Sequence, residues 1–132
     1  MRSYIWDDKY NVGFKPIDSQ HKSILRLINR IMLNREREKK LLVSLIDELI
    51  CYIQYHFKSE ENYMLLFEYK EYASHLIEHA IFIKDLIEIT DLFKDDGIDI
   101  ESLLESLVGW WNPHIIEVDK IIGRFLANVT SE

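Results

Sequence analysis

Apolar residues recur along this chain in steps of three and four, and they do so in four separate rows. The first row reads His21, Ile24, Ile28, Ile31, and the second Leu42, Ile46, Leu49, Ile53, His56, Glu60, Tyr63, Phe67. The third reads Tyr72, His75, His79, Phe82, Leu86, Ile89, Phe93. The fourth reads Ile100, Leu103, Leu107, Trp111, His114, Val118, Ile121, Phe125. This period belongs to helices with one buried face, and no two-residue alternation competes with it. Four Gly and two Pro are too few for a many-turned β fold, and an apolar fraction of 48% excludes disorder. The separators are short: a charged stretch over 34–40, a turn near 68–71, and Asp95-Asp96-Gly97 ahead of Asp99, an expected helix cap. Asp18 or Ser19 is expected to cap the first helix. Short connections between long helices predict an all-α, antiparallel up-down-up-down four-helix bundle. The 132 residues suit one domain, with an N-terminal arm over 1–17 and the bundle over 18–132. In the arm, which holds Gly13 and Pro16, the rings of Trp6, Tyr10 and Phe14 are expected to pack on the bundle.

Every histidine of the chain falls on these rows, and helical spacings join them to two carboxylates. The pairings are His56 with Glu60, His75 with His79, and His114 with Asp119, while His21 stands on the first row. An unpartnered polar group in an apolar interior costs roughly 2–7 kcal/mol, and a charge costs more. Such groups facing inward from four helices are tolerable only if something satisfies them together. Residues four apart project from one helix face, so His75 and His79 suit one ion, and His56 and Glu60 supply a nitrogen and an oxygen. Asp119 is the awkward member: five residues turn an α-helix by about 500°, which leaves it roughly 140° around from His114. That offset suits a carboxylate reaching sideways to bridge two ions. Five nitrogens and two carboxylates fit a pair of first-row metals, since a single four-coordinate zinc leaves three groups unused.

Charge and composition narrow the remaining classes. A net charge of −7, from 16 Lys and Arg against 23 Asp and Glu, argues against nucleic acid or an anionic membrane as partner. One cysteine, Cys51, permits no internal disulfide and suits a reducing cytoplasm; between Leu49 and Ile53 it reads as an unreactive core thiol. The first residues lack the apolar segment of a secretory signal, and no run of 18 apolar residues suggests a membrane span. A cytoplasmic monomer is expected, with no broad second apolar stripe for self-association.

The chain resembles the hemerythrin family, and within it the bacterial single-domain bacteriohemerythrins, over essentially its whole length. The resemblance rests on Ile17-Asp18-Ser19-Gln20-His21, His56-Phe57-Lys58-Ser59-Glu60-Glu61, His75-Leu76-Ile77-Glu78-His79, and Trp110, His114-Ile115 and Asp119. Trp6 followed by Val12-Gly13 is similar to the family's N-terminal arm. The resemblance implies two iron ions, one held by His75, His79 and His114 and the other by His21 and His56. Glu60 and Asp119 would bridge them beside an oxo or hydroxo group, leaving an open position for O2 near Trp111 and Ile116. It implies reversible O2 binding for carriage, storage or sensing rather than enzymatic turnover. The alternatives are a di-iron oxidase or peroxidase, and a protein responsive to iron, nitric oxide or redox state. Ferritin-like enzymes use Glu-x-x-His motifs, and no Glu stands three before any histidine here, which favours the carrier. Two residues depart from the family pattern. Trp111 replaces a smaller aliphatic residue, and so narrows the pocket, offers an indole N–H or simply fills the core. Pro113 removes a helix hydrogen bond, so a kink or bulge is expected near Gly109–Trp110.

Overall fold

Four helical rods follow one another along the chain. Helix α1 spans Lys15–Leu33, α2 Lys39–Leu66 and α3 Tyr72–Lys94. The fourth rod runs without interruption through α4 (Ile100–Pro113), a π-helical turn (His114–Asp119) and α5 (Lys120–Thr130). A single 3-10 turn, Asp8–Tyr10, precedes them. The structure is a computed structural model describing residues 7–130, with the side chains of Ile115 and Ile116 outside that description, and no strand occurs among the described residues. Trp6 also lies outside the described residues.

The core shows how the rods run. A large apolar cluster contains Ile24, Ile28 and Ile31 of α1, Leu42 to Phe57 of α2, Leu86 and Phe93 of α3, and Leu103 to Trp111 of α4. A smaller one contains Ile17 of α1, Met64 of α2, and Ile122 and Leu126 of α5, with Tyr72 of α3 packed against it. Along α1 the chain passes from the small cluster to the large one, along α2 it returns, and α3 and the fourth rod repeat the alternation. The bundle is therefore up-down-up-down. On each rod the histidines lie between the two clusters, so the core is two apolar masses separated by one polar layer.

The helix ends follow from local chemistry. Asp99 caps α4, its carboxylate accepting the Ser102 N–H at 2.8 Å. Helix α3 closes where Asp96 enters the left-handed region (φ 62°) and Gly97 N–H reaches the Leu92 carbonyl at 2.7 Å. Helix α1 begins earlier than its apolar row suggests: Phe14 is the cap residue, and Pro16 sits in the first turn, where a missing N–H costs nothing. Asp18, expected as a cap, instead accepts the Val12 N–H at 2.8 Å and ties the arm to α1.

Two surface expectations are corrected. Cys51 is an exposed free thiol, because two residues from Leu49 and two from Ile53 is a large rotation around a helix, about 200° from each. Helix α3 carries a second apolar set on its outer side, Leu76, Ile77, Ile81, Ile87 and Leu92, where no second apolar stripe is expected. No helix among the described residues is long and apolar enough to cross a membrane.

The arm packs along the bundle, Tyr10 joining the large cluster and Val12 the small one. Tyr10 and Val12 are buried, and the Phe14 ring meets Tyr63 edge-on at 5.1 Å. Gly13 (φ 89°) turns the chain into α1, and Gly123 of α5 leaves room for Val12: a Cβ there would collide with the Val12 carbonyl and side chain. Gly123→Ala is therefore expected to destabilise the protein by about 1–3 kcal/mol through overpacking. Urea unfolding of the variant checks this, and an unchanged midpoint would show that the arm does not need the contact.

Candidate metal centre

The polar layer gathers side chains from all four rods. His21 comes from α1, His56 and Glu60 from α2, His79 from α3, and His114 and Asp119 from the π-helical turn. His21, His56, Glu60 and Asp119 are fully buried. Their ligand atoms form two groups, each within 4.8 Å: His21, His56, Glu60 and Asp119 in one, Glu60, His79 and His114 in the other. Glu60 belongs to both.

Each carboxylate divides its oxygens between the two groups. Glu60 places Oε1 at 2.9 Å from His79 Nε2 and Oε2 at 3.6 Å from His56 Nε2. Asp119 places Oδ2 at 2.7 Å from His21 Nε2 and 3.8 Å from His56 Nε2, and Oδ1 at 3.2 Å from His114 Nε2. Asp119 can do this because the backbone from His114 to Asp119 is π-helical. A turn closed by i→i+5 bonds takes one more residue than an α-turn, so residues five apart return to one face. Pro113 is accommodated without the expected bulge at 109–110: α4 is regular through Pro113, and the irregularity lies after it. Gly109, whose carbonyl loses the bond that Pro113 cannot donate, is exposed to water.

Among the predicted site residues, His75 stands apart. It is buried and its ring centre lies 6.4 Å from that of His79, but it joins neither group, and its Nδ1 is 3.5 Å from Glu78. Trp111 is completely buried and packs against three site histidines: edge-on to His21 at 5.4 Å and His56 at 6.0 Å, stacked on His114 at 5.8 Å. Ile116 lies outside the described side chains.

Three further residues that sequence reasoning left without a role hold the imidazoles in place. Gln20 Oε1 lies 2.7 Å from His56 Nδ1, while Gln20 Nε2 donates to Ser59 Oγ at 3.0 Å. Glu61 Oε2 lies 2.8 Å from His79 Nδ1. The available signal was a second Glu directly after Glu60, on a helix whose partner helix carries two histidines.

Four buried polar atoms at the centre, His56 Nε2, Glu60 Oε2, His114 Nε2 and Asp119 Oδ1, have no hydrogen-bond partner. Buried nitrogen and carboxylate donor atoms left without a hydrogen bond in two adjoining groups suit transition-metal ions. The charges tell the same story. Burial works against a charged His114, but the charge of Asp119 and then Glu60 outweighs it and lifts the imidazole to about 9. Burial likewise opposes the charged Asp119, yet the charge of His114 and the hydrogen bond from His21 hold it well below the ordinary carboxylate range. His79 is also raised, against its burial, by Glu60 and Glu61, whereas burial pushes His56 down. Protons thus occupy places that suit metal ions.

Comparison with known proteins accords with this geometry. The hemerythrin HHE cation binding domain matches residues 12–126. The chain is 29% identical over 124 residues to a bacteriohemerythrin of Clostridium acetobutylicum, spanning 89% of this chain and 96% of that one. It is 32% identical over 123 residues to a bacteriohemerythrin of Methylococcus capsulatus, spanning 89% of each. A crystal structure of wild-type hemerythrin aligns with a TM-score of 0.86 at 25% identity, covering 96% of this chain and 99% of that one.

The buried pair makes metal-free stability depend on pH. His114 is raised from 6.5 to about 9, so its contribution is complete below pH 6.5 and is lost as pH rises through about 9, with His79 acting in the same direction. Asp119 is lowered from 3.8, so its contribution is complete above pH 3.8 and is lost on acidification beyond that. The Tm of the metal-free protein, followed by circular dichroism, is expected to fall between pH 6.5 and about 9, and Asp119→Asn to flatten that slope. A wild-type Tm that is level across this range would contradict the assignment.

Proposed function

We propose, on the premise that this chain belongs to the hemerythrin family, that it binds O2 reversibly at a non-heme di-iron centre in its polar layer. The observation that carries the reading is the division of Glu60 and Asp119, each with one oxygen toward either histidine group. In this reading His21 and His56 hold one iron, and His79 and His114 hold the other, with His75 turning in to join them. Glu60 and Asp119 would each offer one oxygen to either ion. When bound, the iron pair supplies the reversible two-electron chemistry toward O2 that no side chain offers.

The chain's own residues supply position, charge and dryness. Two carboxylates offset part of the cationic charge of a metal pair, and nitrogen donors outnumber them, unlike the carboxylate-rich sets of ferritin-like oxidases. Two histidines on one side against three on the other leave one iron short of a protein ligand, which is where a small molecule has room. Trp111, Phe57 and Phe82 wall the layer: Phe57 lies flat on His79 at 3.9 Å, and Phe82 meets Trp111 at 6.2 Å. These rings would exclude water and external protons from the layer, the condition that reversible O2 binding needs. Trp111 carries a buried indole N–H without an acceptor, which places a donor in the same wall. We assign Trp111 to the O2 pocket on these contacts. An exposed, unpaired Cys51 is in keeping with a reducing cytoplasm.

The test is a spectroscopic cycle. Iron-loaded protein, reduced without air, is expected to develop a visible band on adding O2 and to lose it when O2 is removed, over repeated rounds. Irreversible bleaching, or rapid consumption of added peroxide, would favour the oxidase reading. Trp111→Ala opens the wall and is expected to raise the rate of irreversible oxidation several-fold with two irons still bound. An unchanged rate would remove Trp111 from the pocket.

A further inference from the structure

One imidazole of α2 and one of α3, His56 and His79, are braced by partners of the same geometry but different charge. His56 Nδ1 faces Gln20 Oε1 at 2.7 Å, while the Nε2 of that amide donates to Ser59 Oγ at 3.0 Å. His79 Nδ1 faces Glu61 Oε2 at 2.8 Å. Both partner atoms are acceptors, so each ring carries a hydrogen on Nδ1 and turns Nε2 toward Glu60. The tautomer is fixed identically on both sides. Only one side has a carboxylate behind it.

Glu61 is well placed to exert that difference. It is 8% exposed and lies in a groove between α2 and α3, together with Lys58, Leu76 and His79. Little water competes for it, and Phe57 stacks on His79 with the ring planes 3° apart, so the imidazole keeps its direction. A hydrogen bond to a carboxylate draws the Nδ1 hydrogen outward and increases electron density at Nε2; a neutral amide does so far less.

We infer that Glu61 is a positioning residue that makes the two halves of the centre unequal: through His79 it strengthens metal binding on the His79–His114 side and favours the higher oxidation state there. Gln20 leaves the His21–His56 side the weaker donor, the side on which a ligand position is free. The inference rests on the two-metal reading above. It also assigns Gln20 and Glu61 opposite effects when their side chains are exchanged.

The experiment titrates metal-free protein with Zn(II) against a competing chromogenic chelator, alongside the midpoint potential of the iron-loaded protein. Wild type is expected to take two ions in steps of unequal affinity. Glu61→Gln keeps the acceptor and removes the charge, and is expected to weaken the tighter step about 10- to 100-fold while sparing the weaker one. Its iron-loaded form should show a more positive midpoint potential. Gln20→Glu, with Ser59 free to donate instead, is expected to strengthen the weaker step and move the potential the other way. Unchanged affinities and potential in Glu61→Gln would overturn the inference, leaving the two-ion reading intact. So would an equal loss at both steps together with a lower metal-free Tm, which marks a merely structural role. Fewer than two Zn(II) bound by the wild type would overturn the two-metal reading itself, and the inference with it.

Discussion

A layer of imidazoles and carboxylates across the middle of a helical bundle survives only if its charges and lone pairs satisfy one another or a bound cation. Much else in this structure is arranged around that requirement. The apolar core is split in two to make room for the layer, and each rod changes from apolar to polar and back at the level of its histidines. Without metal the layer holds together through protons, with His114 charged against Asp119 and His79 between Glu60 and Glu61. The four atoms without a hydrogen bond, His114 Nε2 and Asp119 Oδ1 among them, mark where charge is matched but hydrogen bonding is incomplete.

The π-helical turn follows from the same constraint. Asp119 must share a face with His114 while reaching His21 on another rod, and a regular α-helix turns it away. One residue more per turn brings it back. The lost regularity is confined to six residues, with α-helix resuming at Lys120. Pro113 immediately precedes this turn, but α4 continues through it unbroken.

Much of this was legible in the sequence because apolar period and histidine position report the same thing, the inward face of a helix. The rows carrying Ile24, Ile46, Leu86 and Leu103 gave the rods, and the turns at 68–71 and 95–97 gave their order. What escaped depended on contacts rather than period. Pro16 falls within the expected arm, although it is an ordinary first-turn residue of α1. Cys51 has core neighbours two residues away on either side, yet two helical steps point it outward. Gln20 and Glu61 lie off the apolar rows, so their roles emerge only when α1 is beside α2 and α2 beside α3. His75 occupies the expected helix and face, but its ring direction is a side-chain choice that spacing does not encode.

The central claim is that two metal ions share Glu60 and Asp119 between unequal histidine sets. Anomalous diffraction at the iron absorption edge, on crystals of iron-loaded protein, tests it most directly. The account predicts two peaks in the polar layer, both in contact with Glu60 and Asp119. One should be bound by His21 and His56, and the other by His79, His114 and a rotated His75. A single peak, or two peaks that do not share both carboxylates, would contradict it.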